Sequence, residues 1–392
     1  MVTAAPSSPD VDVVCLGESM VTFVPRQAGR LADVPTFDRG IGGAESNVAC
    51  CLARAGHSAR WVSRVGADGF GDHLVAAIAA TGVDTASVQR DQARPTGIYF
   101  RTAGERAVRA AAPAGGSEVV YYRAGSAAAA MAPGAFDRAT LWSGRVLHVS
   151  GITAALSADC LALMRELTTP ATGRPLLSFD VNYRVGLWRG RGAADQAGPE
   201  VLADLARGCD LVFVGEDEAE AAWGLSGPAA IRAALPEPAV LVVKHGAEGV
   251  TVYARESANT APDTTATRTG TTAIGTGTTA TGTDTVTYAP ALRVDVVASV
   301  GAGDAFAAGF LSATLRGLPV FARVRHGHLM AAAALTVPGD LGTPPSRAQA
   351  DRLAALDPDA WGALRLSAGW TEAEPGAEVP TVGGPNAEVR NR

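Results

Sequence analysis

Short apolar runs alternate with segments of helical spacing along most of the chain. Val11–Leu16 is an apolar run that stops at Gly17, and its length and composition are typical of a buried strand. Residues 44–55 follow the glycine pair Gly42-Gly43 with apolar side chains three or four positions apart, which predicts a helix. The same alternation predicts further strands at 59–65, 145–150, 175–180, 211–214 and 239–244, and further helices at 71–81, at 158–167 and from 217.

Strands that alternate with helices form βαβ units, and these build a parallel sheet with helices on both faces. The predicted fold class is therefore α/β, with a central, mostly parallel sheet in a domain that covers about residues 11–345. Ligands of such sheets bind in the crevice at the carboxyl ends of the strands. We therefore expect the functional residues directly after the strands.

Two stretches, 21–38 and 97–123, interrupt the alternation. Within the second, TGIYFR and EVVYYR are rich in aromatic and β-branched residues, which favours antiparallel strands. We interpret the two stretches as a small β lid.

The run of Thr, Gly and Ala at 257–287 and the tail at 366–392 contain few large apolar residues, so we predict a disordered insertion and a disordered tail.

Composition and charge narrow the class of ligand. The chain has a formal net charge of −6 and scattered arginines, which disfavours a nucleic-acid or membrane partner and favours a small molecule. No CxxC pair and no apolar run of membrane-spanning length occurs, so we expect reduced, buried cysteines and a cytoplasmic protein. The five cysteines are Cys15, Cys50, Cys51, Cys160 and Cys209.

The segment VASVGAGDAFAAGF at 297–310 carries the sharpest chemical signal. Gly301, Ala302 and Gly303 precede Asp304 at the start of a helical run of small residues. Unpaired N–H groups at a helix N-terminus can form an anion hole for a phosphoryl group, and an aspartate there can accept the proton of an attacking hydroxyl. The alternative interpretation is a tight glycine turn capped by an aspartate.

GGAESNVACCLARAG at 42–56 and VGAGDAFAAGF at 300–310 resemble, in order and separation, the two motifs of the ribokinase-like (PfkB) carbohydrate kinases. The resemblance runs from about residue 11 to about 345. It implies a three-layer α/β/α fold with a β lid over a sugar site, ATP and Mg²⁺ as cofactors, and phosphorylation of a sugar hydroxyl. An exposed lid edge could also pair with a second copy, so a homodimer is a further expectation.

Within that family, YYRAGSAAAAM at 121–131, SGITAALS at 150–157 and DVNYRVGLW at 180–188 resemble the kinases of 2-keto-3-deoxygluconate. That substrate is a sugar acid, and Arg123 and Arg184 could bind its carboxylate by charge-assisted hydrogen bonds. A neutral sugar would leave two such cations uncompensated. The alternative for each arginine is a surface charge or a structural ion pair.

The resemblance also assigns residues to the two ligands by position. The substrate set, besides the two arginines and Asp304, is Gly43, Ala44, Glu45, Ser46, Asn47, Tyr99, Tyr121 and Ile152. The two tyrosines could instead hold the lid together. The nucleotide set, besides the anion hole, is Asn182, Arg184, Lys244, Gly246 and Gly249, in which the glycines would let the backbone approach the nucleotide.

One position departs from the family pattern. Where the family has Asn-x-x-Glu, this chain has Gly215 followed by Glu216, Asp217 and Glu218. Glu218 could still act on Mg²⁺ through water, because magnesium retains several waters beside phosphates. The missing amide affects the expected organisation of metal and phosphate, and the expected activity stands without it.

Three functions follow from the sequence as alternatives. The first is a kinase of a sugar acid, the second a kinase of a neutral sugar (fructokinase-like or ribokinase-like) or of a nucleoside, and the third a non-catalytic sugar sensor on the same scaffold. Asp304 with its Gly-Ala-Gly turn argues against the sensor, since a sensor needs no base at the point of phosphoryl transfer. The two arginines argue against a neutral substrate.

Overall fold

The computed structural model describes residues 9–27, 29–102, 118–188, 198–255, 277–279 and 282–372. Its strands, in chain order, are β1 Val11–Leu16, β2 Met20–Pro25, β3 Phe37–Gly42, β4 Ala59–Val62, β5 Arg64–Gly66, β6 Gln89–Asp91, β7 Ile98–Arg101, β8 Val119–Tyr122, β9 Gly144–Ser150, β10 Leu176–Asp180, β11 Leu211–Gly215, β12 Val240–Lys244, β13 Gly249–Arg255, β14 Gly277–Thr279, β15 Gly282–Pro290, β16 Arg293–Val294 and β17 Arg365–Leu366.

Its helices are α1 Ala44–Arg54, α2 Gly69–Ala79, α3 Arg138–Leu141, α4 Gly151–Ala154, α5 Ala158–Thr168, α6 Val185–Trp188, α7 Glu200–Arg207, α8 Glu216–Trp223, α9 Pro228–Ala234, α10 Ala302–Leu315, α11 Val320–Leu335, α12 Arg347–Ala354 and α13 Pro358–Ala363. The strands and helices predicted from the hydrophobic pattern are present with ends displaced by a few residues, except that the strand predicted at 59–65 is divided into β4 and β5, which belong to different sheets.

The central sheet has the strand order β14-β15-β13-β12-β11-β10-β9-β1-β4. The strands from β12 to β4 pair in parallel, and the three at the other side are antiparallel. The predicted mostly parallel α/β fold is confirmed. All the parallel strands end at the same edge of the sheet, so the residues that follow β1, β9, β10, β11 and β12 lie along one crevice.

Alternation along each strand divides the core into two layers. In β1, Val14 and Leu16 pack into one buried cluster while Val13 and Cys15 pack into the other. The first cluster is covered by α5, α7 and α9, and the second by α1, α2, α10 and α11. Since both faces of the sheet are buried, the strands read as continuous apolar runs. The two helices that carry the sequence motifs, α1 and α10, therefore share one face.

A second sheet, the lid sheet, has the order β3-β2-β7-β8. β7 and β8 pair antiparallel, as their sequences predict, and Tyr99 lies opposite Tyr121. β2 pairs parallel with β7, a pairing that the sequence does not indicate. The predicted β lid at 21–38 and 97–123 thus corresponds to one four-stranded sheet, although residues 103–117 lie outside the described part of the chain.

The predicted disorder at 257–287 is wrong for the described residues of that range, because 277–279 form β14 and 282–287 belong to β15. β15 begins at Gly282 and pairs antiparallel with β13 from Asp284 to Pro290. The β-branched and aromatic residues of TDTVTYAP favour a strand, and they follow directly on the Thr- and Gly-rich run that suggested disorder. Residues 256–276 and 280–281 lie outside the described part of the chain.

The predicted end of the folded domain at 345 is too early. Helices α12 and α13 and strand β17 pack on α11 through a third cluster that includes Leu353, Trp361 and Leu366. Trp370 is buried in the same cluster, so the predicted tail begins no earlier than residue 373. Residues 373–392 lie outside the described part of the chain.

The five cysteines are buried and free, as expected. Among the described residues, none of the helices combines the length and the hydropathy that a membrane crossing requires.

We predict that a buried ion pair holds β15 in the central sheet. Asp284 accepts two hydrogen bonds from Arg232, both of 2.8 Å, and both side chains are at most 3% exposed. Asp284→Ala would leave the guanidinium buried without its counter-ion, which costs about 3–5 kcal/mol. Urea unfolding followed by circular dichroism measures this loss.

The control is Asp38→Ala, which breaks the Arg26–Asp38 pair, whose side chains are 66% and 65% exposed. We expect that variant to unfold at almost the wild-type urea concentration, because exposed pairs contribute little. Equal unfolding midpoints for the two variants would contradict the proposed role of the buried pair.

Candidate active site

The N-terminus of α10 lies at the carboxyl edge of the central sheet. Gly301, the residue before the helix, has a φ of 79°, and a Cβ there would approach the carbonyl oxygen of Asp340 to 2.2 Å. Only glycine combines this left-handed conformation with such a close approach. Ala302 and Gly303 follow in the first turn, where their backbone N–H groups have no intrahelical acceptor.

Asp304 lies in the same first turn and accepts a hydrogen bond of 2.8 Å from Nδ2 of Asn47 on α1. The pKa of Asp304 is raised to about 6, chiefly by burial and also by the nearby carboxylates of Asp180 and Asp340, while Asn47 and Arg184 oppose the shift. A carboxylate with a pKa in this range is ionised at neutral pH and is also a stronger base than an exposed one. The arrangement suits proton abstraction from a hydroxyl.

The first turn of α1 packs tightly against the end of β1. A Cβ on Gly43 would meet the carbonyl oxygen of Glu18 at 2.4 Å, and Ser46 hydrogen-bonds Ser19 at 3.0 Å. Ala44 is the first residue of the helix. Glu45, Ser46 and Asn47 are all buried, and Asn47 is the side chain of this turn that hydrogen-bonds Asp304.

The Glu45 carboxylate contacts the end of β9 and the start of α4. Its Oε1 accepts hydrogen bonds from the backbone N and the hydroxyl of Ser150 and from the hydroxyl of Thr153. Ile152 lies between these two residues in α4 and is part-buried. The sequence placed Glu45 among the substrate residues, but its contacts are with the protein.

The lid sheet reaches the same region through Asp340, which the sequence analysis missed. Asp340 accepts hydrogen bonds from Tyr99 at 3.4 Å and from Arg101 at 2.9 Å, both on β7. Burial raises the pKa of Asp340, and Arg101 opposes that shift. The Gly339-Asp340 turn after α11 was the only available signal, and a Gly-Asp turn is too common to single out.

The two predicted substrate tyrosines differ in their surroundings. Their rings lie 5.4 Å apart across β7 and β8. Tyr99 is 6% exposed, whereas Tyr121 is 49% exposed. Tyr99 therefore belongs to the interior of the cleft, and Tyr121 lies at its rim, where the guanidinium of Arg123 is 5.5 Å from its ring centroid.

Both predicted carboxylate-binding arginines already have a carboxylate partner. Arg123 pairs with Glu18, whose side chain is 1% exposed. Arg184 pairs with Glu218 at 3.3 Å. The expectation of two uncompensated cations is wrong, because the turn after β1 and the start of α8 each supply an acid that the local sequence does not connect with an arginine.

At the ends of β10 and β12, Lys244 contacts both carboxylate oxygens of Asp180 at 3.1 and 3.0 Å. Burial raises the pKa of Asp180, and Lys244 opposes that shift. Asn182 follows β10 with a φ of 42°, a conformation that asparagine tolerates better than most residues. Its buried Oδ1 has no hydrogen-bond partner among the described residues, so it is available to a ligand.

Glu218 caps α8 by accepting a hydrogen bond of 2.9 Å from the backbone N of Gly215, in addition to its bond with Arg184. Gly215 contributes only backbone at the position of the missing asparagine. Within the described ranges, His, Cys, Asp and Glu side chains form no group of three or more suited to a metal ion. The nearby carboxylates of Glu218 and Asp180 are paired with Arg184 and Lys244. Such carboxylates fit a Mg²⁺ ion that retains its waters and is bound mainly by phosphates.

A cavity of about 1220 Å³ extends from the N-terminus of α10 to β16, which is large enough for a nucleotide. Ala302 and Gly303 line one end and Lys244 and Gly246 line a wall. Gly249 does not line this cavity: a Cβ there would meet the carbonyl oxygen of Ala289 at 2.5 Å. The close approach of β15 explains why position 249 is a glycine. The assignment of Gly249 to the nucleotide site is therefore corrected.

A family model described as pfkB family carbohydrate kinase matches residues 10–347. The 2-dehydro-3-deoxygluconokinase of Bacillus subtilis is 33% identical over 346 residues, which cover 86% of this chain and 93% of the relative. Fructokinase-1 of Oryza sativa is 28% identical over 306 residues, which cover 76% of this chain and 81% of the relative.

Among solved structures, an uncharacterized sugar kinase from Pyrococcus horikoshii in complex with ATP has a TM-score of 0.66 to this chain. The two are 23% identical, and the match covers 85% of this chain and 95% of the other. The three-layer α/β/α fold with a small lid sheet is therefore the fold of this group of kinases.

Proposed function

Because this chain belongs to the pfkB family of carbohydrate kinases, we propose that it phosphorylates the terminal hydroxyl of a sugar acid, 2-keto-3-deoxygluconate, at the expense of ATP. The chain is an ATP-dependent carbohydrate kinase. A named relative at 33% identity is a 2-dehydro-3-deoxygluconokinase, which is a kinase of the same sugar acid under its other name. The expected product is the 6-phosphate.

The hydrogen bond between Asn47 and Asp304 carries the proposed mechanism. Asp304 accepts the proton of the substrate hydroxyl while the hydroxyl oxygen forms a bond to the γ-phosphorus of ATP. The bond from that phosphorus to the bridging oxygen of the β-phosphate breaks, and ADP leaves with the bonding electrons. The amide of Asn47 holds one oxygen of Asp304, which leaves the other oxygen for the substrate.

The backbone at 301–303 supplies the anion hole in this mechanism. Its N–H groups and the positive end of the α10 dipole stabilise the charge that develops on the transferred phosphoryl group. ATP would occupy the cavity between Ala302 and β16, which Lys244 lines. We assign Asn182 and Arg184, which follow the Asp180 partner of Lys244, to the phosphate side. Mg²⁺, bound through water near Glu218, would supply further neutralisation of the phosphates.

Arg123 supports the choice of a sugar acid even though Glu18 compensates its charge. Its Nε is buried and has no hydrogen-bond partner among the described residues. A buried unpaired donor costs about 1–3 kcal/mol, and a substrate carboxylate would satisfy it. The guanidinium is already oriented by Glu18 and the Tyr121 ring, so little entropy is lost when a carboxylate binds.

A neutral sugar is the second candidate. The observation that favours it is the pairing of both arginines, Arg123 with Glu18 and Arg184 with Glu218. Neither cation requires a ligand to compensate its charge, and a relative that matches most of the chain is a fructokinase. The substrate therefore has to be decided by a direct comparison of acids with neutral sugars.

We further propose a homodimer through the lid sheet. β8 is an edge strand, and Val120 and Tyr122 on it are 41% and 62% exposed. Apolar side chains on an unpaired edge are suited to pairing with a second copy. In that dimer the edge strands of the two lid sheets would pair.

The first prediction from this mechanism concerns Asp304. Asp304→Asn should lower kcat by about 10²- to 10⁴-fold, because the amide cannot accept the proton, while the Kd for ATP stays within about twofold. In the wild type, kcat/KM should fall as the pH drops through about 6, where Asp304 takes up a proton. Steady-state kinetics from pH 5 to 8 and calorimetric ATP binding measure the two effects.

Substrate binding without turnover in the wild type would instead support the sugar sensor. A near-normal kcat for Asp304→Asn would remove Asp304 from the mechanism.

The second prediction concerns the substrate carboxylate. Arg123→Lys keeps the charge that compensates Glu18 but loses the planar fork. We expect kcat/KM for 2-keto-3-deoxygluconate to fall by about 10- to 100-fold, with KM for ATP unchanged. The wild type should prefer the sugar acid over fructose, ribose and adenosine in a coupled assay for ADP.

The matched control is Arg26→Lys, in the exposed pair with Asp38 at the far end of β2, which should leave all rates unchanged. Two results would shift the assignment to the neutral sugar. One is a wild type that prefers fructose or ribose, and the other is an Arg123→Lys variant with full activity on the acid.

The third prediction concerns the dimer. Val120→Lys should shift the sedimentation coefficient from that of a dimer to that of a monomer, since a charge on the edge strand opposes pairing. Val297→Lys is the control, because Val297 is also exposed, at 54%, but lies outside the lid sheet. If the wild type sediments as a monomer at micromolar concentration, the edge strand has no such partner.

A further inference from the structure

The side chain of Glu45 is buried, and its two carboxylate oxygens differ in their hydrogen bonds. Oε1 accepts three hydrogen bonds, from the backbone N of Ser150 at 3.0 Å, from its hydroxyl at 2.8 Å and from the hydroxyl of Thr153 at 2.9 Å. Oε2 is buried and has no partner among the described residues. Burying a carboxylate is costly unless hydrogen bonds or a counter-ion compensate it, so a carboxylate at this position suggests a role that an apolar side chain could not fill.

The role suggested by these contacts is to fix the start of α1 against the junction of β9 and α4. On the opposite side, Gly17 lies so close that a Cβ there would meet the Glu45 carboxyl carbon at 2.1 Å. The first turn of α1 is therefore held between the end of β1 and the end of β9. Asn47 lies in that turn and directs its amide to Asp304 on α10.

We propose that Glu45 is a positioning residue for phosphoryl transfer: by fixing the first turn of α1, it holds Asn47 at the distance at which its amide orients the Asp304 carboxylate. The proposal rests on the function proposed above, in which Asp304 is the base. It removes Glu45 from the substrate-binding set. Ser150 and Thr153 then contribute indirectly to the position of Asp304, because they hold the Glu45 carboxylate in place.

The charge on Glu45 is consistent with this role. The pKa of Glu45 is raised to about 7, chiefly by burial and also by Asp304, while Ser150 and Thr153 oppose the shift. The other titratable group that responds to Glu45 is Cys15 on β1, whose pKa is raised by burial and by Glu45. A pKa of about 7 leaves Glu45 only partly ionised at neutral pH, and this weakens its repulsion of Asp304.

A double-mutant cycle tests whether Glu45 acts through Asn47. Glu45→Ala removes the acceptor of three hydrogen bonds, so we expect kcat to fall by about tenfold or more with KM for ATP unchanged. Glu45→Gln retains an oxygen acceptor in the same place and should restore kcat to within about threefold of the wild type. In the double variant, Glu45→Ala should add little to the loss caused by Asn47→Ala, because the two residues act in series.

Glu45→Ala could prevent folding, and Thr153→Val then replaces it in the cycle. That variant removes one hydrogen bond to Glu45 and should lower kcat by a smaller factor that Asn47→Ala again absorbs. Asp210→Asn is the control, since Asp210 accepts a bond from Leu177 N at the opposite edge of the sheet. It should lower the melting temperature without changing kcat.

Two outcomes overturn the proposal. One is a kcat for Glu45→Ala equal to that of the wild type. The other is a pair of losses, from Glu45→Ala and Asn47→Ala, that multiply in the double variant, which would show that Glu45 acts independently of Asn47. Asp304→Asn is measured in parallel: if it keeps its turnover, the proposed function fails as well, and if it is inactive, either outcome rejects the role of Glu45 alone.

Discussion

The hydrogen bond from Asn47 to Asp304 joins two residues that lie 257 positions apart, and most features of the site serve to make it possible. It requires α1 and α10 to lie on the same face of the sheet, and the shared buried cluster places them there. It also requires the turn before α10 to approach Asp340 more closely than any residue but glycine allows. A displacement of either helix by about 1 Å would break the bond, since hydrogen bonds weaken steeply with distance and angle.

Several carboxylates lie close together around Asp304 in the cleft. Cations that pair with them limit the cost of burying these charges. Asp180 has Lys244, Asp340 has Arg101 and Glu218 has Arg184. Asp304 has no cation as a direct partner in these pairs, and its pKa is raised to about 6. The protein therefore neutralises the acids that hold the structure and leaves the proposed base with a neutral amide as its partner. A base in that state keeps its affinity for a proton, which an ion pair would reduce.

Much of this fold could be predicted from the sequence, because strand and helix patterns are local. Apolar runs such as that of β1 and the glycine turn before α10 specify their conformation within a few residues. The partners of Arg123 and Arg184 could not be predicted, since Glu18 and Glu218 reach them from other elements, and no local pattern encodes such a pairing. Gly249 illustrates the same limit. A glycine next to a predicted nucleotide turn suggested a ligand, whereas the close neighbour is a strand that enters the sheet from beyond the low-complexity segment.

Although Arg123 is paired with Glu18, it can still select a substrate that carries a carboxylate. An arginine without a counter-ion in a closed cleft would be costly in the absence of substrate, and Glu18 avoids this cost. Glu18 uses one terminal nitrogen of the guanidinium and fixes its plane, while Nε remains unsatisfied. Recognition of a carboxylate would then depend on the geometry of the remaining donors and much less on net charge. A neutral hydroxyl could also accept from Nε, but it offers one acceptor atom where a carboxylate offers two, so the fork favours the acid through its shape.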